Sequence, residues 1–162
     1  MTNDEIGRLA EGIAGVAFMR ILGEPYHRPL FRVVALGDKY PVADFLVDAL
    51  DANGSAIGHC FVQVKGTLNS SPTAARLTVD VPSVLFNRLV GLPVMSYLLA
   101  VDVPAEEAYL VAAWRERKKP VSSVTRAFPL SDEAVKIGLH QEVAAYWAGH
   151  LSAPRTSRFT DV

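Results

Sequence analysis

Two β-forming runs that flank a single turn place the strongest constraint on how this chain folds. Residues 44–51 and residues 59–65 are rich in the apolar and β-branched side chains that strands favour. Between them lies the segment Ala-Asn-Gly-Ser, which supplies the Asn and Gly that tight turns require. We therefore predict an antiparallel hairpin that turns near Asn53 and Gly54.

Polar side chains lie at the open end of this hairpin. Residues two apart on a strand project from the same face, so Gln63 and Lys65 point together while Val64 points into the opposite, buried layer. Asp44 starts the outgoing strand, and antiparallel pairing brings that start opposite the end of the returning strand. We therefore expect an acidic oxygen, an amide or backbone carbonyl oxygen and an ammonium group to converge.

This set of groups suits the hydrolysis of a phosphodiester bond. Oxygen ligands hold a hard divalent cation such as Mg²⁺, and the cation polarises the phosphoryl group and lowers the pKa of a bound water. Lys65 would stabilise negative charge on the phosphate or orient the attacking water. The pattern therefore favours a metal-dependent phosphodiesterase centre.

The same residues resemble a known motif. Asp44, its strand and Gln63-Val64-Lys65-Gly66-Thr67 look like the core of the PD-(D/E)XK nuclease superfamily, which has the restriction-endonuclease-like fold. The likeness covers residues 4–113 and is to an uncharacterised bacterial branch with a Gln-x-Lys motif. Two positions differ from the usual pattern: Gln63 replaces an acidic residue, and Val42-Ala43 stands before Asp44 in place of Gly-Ile.

The resemblance implies a full site and a cofactor. It adds Glu11, on the first helix, to the catalytic residues Asp44, Gln63 and Lys65. It also implies that Mg²⁺ or Mn²⁺ is held by Asp44, Gln63, Glu11 and the backbone carbonyl of Val64, and that the substrate is DNA or RNA. A neutral Gln brings no charge to a cation, so we expect metal affinity to fall unless Glu11 compensates.

Glu11 is open to two interpretations. The predicted apolar face of the first helix comprises residues at spacings of three and four: Ile6, Leu9, Ala10, Ile13, Ala14, Ala17 and Ile21. Glu11 falls at the edge of this face, beside Gly7 and Phe18, from where a carboxylate can point into a cleft. The alternative is a solvated Glu on an amphipathic helix.

The remaining patterns predict an α/β sandwich, with a mixed central sheet flanked by helices. Thr2 and Glu5 fit a capping box that starts a helix running to about Leu22. The expected order is a helix, a three-strand meander, a helix, two strands and a C-terminal helix. Residues 75–81 alternate like a short extra strand.

Two late apolar runs, residues 94–101 and 108–114, are typical of strands buried on both faces. The chain has 162 residues, half of them apolar, which suits one domain with a substantial core. We expect residues 1–150 to form a single restriction-endonuclease-like domain and residues 151–162 to form a frayed tail.

Charge limits how the chain could bind nucleic acid. The formal net charge is −1, unlike that of a protein whose affinity rests on a broad basic surface. Any contact must be local, and the candidate is the loop carrying Arg115, Arg117, Lys118 and Lys119. The alternative is that this polar loop is simply solvated.

The sequence also predicts the compartment. The acidic, polar N-terminus is not a signal peptide, and no apolar run reaches the ~18 residues of a spanning helix. The lone Cys60 cannot form an internal disulfide, which suits a reducing compartment. We expect a cytoplasmic protein with no membrane partner.

Two functions are therefore carried forward. One is the metal-dependent nuclease; the other is a catalytically lapsed nuclease-fold module for binding or assembly, motivated by Gln63 and by the near-neutral charge. We expect a homodimer because of an apolar surplus in the final helix. A separate DNA-recognition or effector protein is a further expected partner.

Overall fold

The structure is a computed structural model that describes residues 1–38, 40–149 and 157–161. Within these ranges the helices are α1 (Asn3–Met19), α2 (Ser83–Val90) and α3 (Glu133–Ala148). The strands of the same ranges are β1 (Phe31–Ala35), β2 (Phe45–Leu50), β3 (Ala56–Thr67), β4 (Arg76–Val81), β5 (Ser96–Asp102), β6 (Glu107–Ala112) and β7 (Val121–Thr125).

Five strands form one mixed sheet in the order β1-β2-β3-β5-β6. The first three make an antiparallel meander, β5 runs parallel to β3, and β6 returns antiparallel to β5. Strands β4 and β7 form a separate antiparallel pair. The predicted mixed α/β architecture is confirmed, and the extra strand at residues 75–81 is present as β4. Strand β7 was not predicted from the sequence, because it is short and half-polar and buries only Val121 and Val124.

The predicted hairpin is formed by β2 and β3. Phe45 pairs with Val62 at its open end, and Leu50 pairs with Ala56 near the turn. In the turn, the Asp51 carboxylate accepts hydrogen bonds from the backbone N–H groups of Asn53 and Ser55. Gly54 has a φ of +79°, a conformation that favours glycine.

Two layers cover opposite faces of the five-stranded sheet. Side chains of α1 and α3 pack with one face in the larger apolar core, whereas α2, β4 and β7 pack against the other face. Every residue of β5 is buried, as its apolar run predicts. The described helices include none that is both long and apolar enough to cross a bilayer.

Helix α1 begins as predicted but presents a different face to the core. The capping box is present, because Glu5 N–H donates to Thr2 Oγ1 at 3.2 Å and Thr2 N–H donates to Glu5 Oε2 at 2.6 Å. The helix ends at Met19 and not near Leu22. Its buried residues are Ala10, Ala14 and Phe18.

The predicted apolar face was therefore wrong at Leu9, which is 46% exposed, and at Ile21, which is 63% exposed and lies beyond the end of the helix. The reason at Leu9 is the close approach of α1 to β3. A Cβ added at Gly66 would lie 2.7 Å from the Cβ of Ala10, so only a small helical side chain fits over this strand. The helix turns its alanines inward and its larger Leu9 outward.

The expected frayed tail is corrected for residues 157–161. Phe159 is buried in the larger core, and its carbonyl accepts the Ala112 N–H at 2.8 Å. Asp161 binds Arg76 at 2.8 Å and also accepts the Thr125 N–H. A single aromatic anchor and one carboxylate thus order a segment without periodicity. The rest of the predicted tail, residues 151–156 and 162, lies outside the described residues.

Candidate functional site

A cleft opens where β3 continues beyond its partner β2. The first residue of β2, Phe45, pairs with Val62, so residues 63–67 of β3 have no β2 neighbour, although they pair with β5 on their other side. The cleft beside this segment has a volume of ≈ 830 Å³. Its lining comes from α1, the β1–β2 connection, β3 and β4: Asn3, Asp4, Ile6, Gly7, Arg8, Glu11, Asp38, Asp44, Gln63, Val64, Lys65, Gly66 and Asp80.

Asp44 closes the hairpin ladder with its side chain. Its backbone N–H still donates to the carbonyl of Val62, at 3.0 Å. The next N–H on this side of β3, that of Val64, donates to Asp44 Oδ2 at 2.6 Å. The carboxylate thus takes over where the backbone of β2 ends, which fixes its position against the strand.

Gln63 bonds to the same carboxylate. Its side chain is 7% exposed, and its Nε2 donates to Asp44 Oδ2 at 2.5 Å and to the Val64 carbonyl at 3.3 Å. The amide nitrogen therefore lies between two oxygens that a cation could bridge. If the amide turned by half a rotation, its oxygen would face the carboxylate, and two acceptors face each other favourably only with a cation between them.

Lys65 lines the same cleft, two residues further along β3. Val64 points into the larger core, as the alternation of the strand predicts. Among the described residues, none forms a hydrogen bond or ion pair with the Lys65 ammonium group, which leaves it available to an anion. Its positive charge is one of the influences that lower the pKa of Asp44.

The pKa of Asp44 is nevertheless raised above 3.8, because burial outweighs the Val64 N–H, the Lys65 charge and the Gln63 amide. The pKa of Glu11 is also raised, from 4.5, by burial and then by the negative charges of Asp44 and Asp38. The negative charges of Glu11 and Asp44 therefore repel each other across the cleft, although the side chain of Glu11 is largely exposed.

Several charged residues of the cleft were not predicted from the sequence. Arg8 and Asp4 come from α1, Asp38 from the β1–β2 connection, and Asp80 from β4. The alternation of buried and exposed residues in β4 was a usable signal for Asp80, since it places that side chain on the open face. Asp38 lines the cleft because of the path of the loop between β1 and β2, and no periodic pattern in the sequence predicts that path.

The structure does not place the predicted nucleic-acid loop on the cleft. None of Arg115, Arg117, Lys118 and Lys119 lines it. Arg115 stacks over Trp114 at 4.1 Å, and Arg117 lies over Phe86 at 5.2 Å.

The centre of that loop is held by α2. Asn87 Nδ2 donates to the Arg117 carbonyl at 2.9 Å, and Arg117 N–H donates to Asn87 Oδ1 at 2.7 Å. Arg117 also pairs with Asp161 at 3.4 Å. Arg115, Lys118 and Lys119 make no ion pair with any described residue, so their charge faces solvent.

The cleft is lined by carboxylate, amide and backbone carbonyl oxygens, which suit a hard cation. In the described part of the chain, no three His, Cys, Asp or Glu side chains are grouped closely enough to hold a metal. A cation would instead need the Asp44 carboxylate, the Val64 carbonyl and the Gln63 oxygen, with Glu11 opposite. Carboxylate, carbonyl and amide oxygens are ligands of Mg²⁺ and Mn²⁺, so the chemistry fits while the charge of the donor set is low.

Comparison with known proteins found no match among protein-family models, curated proteins or solved structures.

Proposed function

We propose that this chain is a metal-dependent nuclease that hydrolyses phosphodiester bonds in DNA or RNA. One observation carries the proposal: Asp44, Gln63, the Val64 backbone and Lys65 meet in a cleft at the end of the β2–β3 ladder. The order of α1, the meander, α2 and the parallel β5 agrees with the restriction-endonuclease-like fold that the sequence resembles. We therefore also propose that the chain has the restriction-endonuclease-like fold.

Each side chain has a defined part in this proposal. Asp44, Gln63, Glu11 and the Val64 carbonyl would hold Mg²⁺ or Mn²⁺, which supplies polarisation of the phosphoryl group and a more acidic bound water. Lys65 binds the phosphate through an ammonium group that has no described partner, and it stabilises charge in the transition state. Arg8 adds a second positive charge to the lining of the cleft.

The basic loop after β6 extends the nucleic-acid contact in this proposal. Asn87 holds the backbone of the loop through both the N–H and the carbonyl of Arg117, so Arg115, Lys118 and Lys119 project from an ordered base. Ordering before binding reduces the entropy lost when a phosphate backbone docks. Asn87→Ala should therefore weaken nucleic-acid binding several-fold without changing the metal affinity of the cleft.

The direct test is cleavage of labelled DNA and RNA with Mn²⁺ or Mg²⁺. We expect Asp44→Asn and Lys65→Ala each to lower the rate by about 100-fold or more. Asp51→Asn is the matched control, because Asp51 lies in the hairpin turn and an Asn retains an acceptor there. No cleavage by the native chain, or equal cleavage by Lys65→Ala, would remove the proposal.

The alternative is a binding or assembly module whose catalytic site has lapsed. The Gln63 amide favours it, because that group already donates to Asp44 and to the Val64 carbonyl without any cation. Calorimetry with Mn²⁺ separates the two functions. Tight binding that is lost in Asp44→Ala counts against a lapsed site, whereas the absence of both binding and cleavage favours it.

A further inference from the structure

Helix α1 exposes an apolar stripe on the side that faces away from its own core. Leu9, Val16 and Met19 are 46%, 60% and 48% exposed. Among the described residues, the other exposed large hydrophobics are scattered over separate elements or lie at the two ends of this helix. Of the described elements, only α1 groups several of them on one surface, and such groups mark interaction sites more often than scattered residues do.

The spacing of this stripe is that of a helix-pairing seam. Leu9, Gly12, Val16 and Met19 follow each other at intervals of three, four and three residues, the period with which two helices pack together. A Cβ added at Gly12 would meet nothing within 4 Å, so the fold of the single chain has no need of a glycine there. A glycine in a helix interior costs about 1 kcal/mol relative to alanine, but it lets a second backbone come close.

Charged residues at the two ends of the stripe favour a second copy of this helix as the partner. Glu5 lies one turn before Leu9, and Arg20 lies one turn after Val16. No described residue forms an ion pair with either side chain, although Glu5 also caps its own helix. In an antiparallel pair of identical helices, Glu5 of one copy faces Arg20 of the other, and Leu9 faces Val16. A parallel pair would set Glu5 against Glu5.

We propose that α1 is the interface of a homodimer in which two copies of this helix pair antiparallel across a two-fold axis, with Gly12 near their crossing. The two-fold arrangement makes every contact occur twice. Exposed ion pairs contribute ~0–1 kcal/mol each, so the apolar stripe supplies most of the affinity and the charges choose the direction. The final helix, the source of the earlier dimer prediction, buries its apolar residues within the chain.

The partner approaches next to the Asp44 cleft. Arg8 lines that cleft and also borders the apolar stripe, where it lies with Leu9, Gly12 and Val16 along a groove of ≈ 390 Å³. Pairing through α1 therefore sets the two clefts of the dimer beside the helix pair. The proposal rests on the exposed stripe and stands whether or not the cleft cleaves nucleic acid.

Size-exclusion chromatography with light-scattering detection measures the mass of the native protein in solution and so tests the proposal. The native protein should have the mass of a dimer, and Val16→Glu should have the mass of a monomer. Val84→Glu is the matched control, since Val84 is 63% exposed on α2 and its variant should remain dimeric. A native monomer at the highest soluble concentration, or a Val16→Glu dimer, would overturn the interface.

Charge exchange tests the direction of pairing. Glu5→Arg and Arg20→Glu should each weaken the dimer, and the double variant should recover it because the charges again face their opposites. Circular dichroism checks that loss of the Glu5 cap leaves the helix content unchanged. A mixture of Leu9→Cys and Val16→Cys chains, in which the cap is intact, should form a mixed disulfide faster than either chain alone. Preference for the Leu9→Cys homodisulfide would overturn the antiparallel arrangement.

Discussion

Two aspartates on either side of β3 illustrate the difference between a structural carboxylate and a site carboxylate. Asp102 ends β5 and is fully buried. One of its oxygens accepts the Ser70 hydroxyl and Arg126 Nη2, the latter at 2.9 Å, while the other accepts the Ala105 N–H at 3.2 Å. Both oxygens are thus satisfied by donors of the chain itself.

Asp44 has the same chemistry and a different supply of donors. Its Oδ2 accepts the Val64 N–H and the Gln63 amide, but its Oδ1 accepts no hydrogen bond from any described residue. No Lys or Arg of the described chain forms an ion pair with it. The two carboxylates differ in how completely their oxygens are hydrogen-bonded: both oxygens of Asp102 have donors, whereas Asp44 is oriented by donors to Oδ2 and has no described donor to Oδ1.

The largest expected effect is on stability, and it separates the two residues. Asp102→Asn should lower the free energy of unfolding by about 3 kcal/mol, because it leaves the Arg126 guanidinium, whose side chain is 14% exposed, without its ion-pair partner. Asp44→Asn should change stability by less than about 1 kcal/mol. Urea unfolding of both variants measures the difference, and equal losses would show that Asp44 is also a structural lock.

The next effect concerns the charge of the cleft. Gln63→Glu replaces a neutral donor with a carboxylate, so we expect Mn²⁺ affinity to rise about tenfold, or about 1.4 kcal/mol. Without metal the variant should be less stable, because two carboxylates then lie side by side. Gln141→Glu, at an exposed position of α3, is the matched control for calorimetry. An unchanged affinity in Gln63→Glu would place the cation away from Asp44.

A fall in pH should change the stability of the fold and the cation affinity of the cleft in opposite directions. The pKa values of Asp44 and Glu11 are raised in the fold, above 3.8 and 4.5. Protonation therefore favours the folded chain, so the stability that these groups contribute is fully present below their unfolded values and is lost as pH rises through the folded ones.

Cation binding needs the ionised carboxylates, so Mn²⁺ affinity should fall about tenfold per pH unit and per carboxylate once the pH drops below the raised values. Calorimetry between pH 4 and pH 7 measures this fall. Asp44→Asn should have a weaker affinity and a shallower pH dependence, whereas Ser70→Ala should retain the native slope. A slope that Asp44→Asn leaves unchanged would assign the titration to another group.

The smallest expected effect concerns one of the hydrogen bonds that hold Asp102. Ser70→Ala removes one of its donors and leaves Arg126 and the Ala105 N–H in place. We expect a loss of about 1 kcal/mol in the free energy of unfolding. A loss as large as that of Asp102→Asn would mean that the hydroxyl, rather than the ion pair, orders this end of β5.

Much of the fold was predictable because its signals are local. The β2–β3 hairpin, the capping box of α1 and the buried run of β5 each follow from residues adjacent in the chain. The inward face of α1 was not predictable, since it depends on Gly66, which lies on another element. The order of residues 157–161 likewise depends on a distant acceptor site for Phe159.

The candidate site was predictable to the same extent. Strand alternation and antiparallel pairing bring Asp44, Gln63 and Lys65 to one cleft. Which atom of Gln63 faces Asp44, and that Asp38, Asp80 and Arg8 join them, required three-dimensional positions. These relations arise between segments whose spacing carries no periodic signal.

By itself, the sequence determined most of the segments that form strands and helices, though not β7, and that an acid and an amine meet at the end of one hairpin, because both follow from backbone periodicity. The tertiary structure alone decided that Asp44 keeps an open oxygen while Asp102 does not. The physical reason is that satisfying a carboxylate depends largely on donors brought from elsewhere: Ser70 and Arg126 reach Asp102 through the packing of separate segments and add to the Ala105 N–H of the adjacent turn. At Asp44 the ladder ends, and β3 and Gln63 satisfy only one oxygen.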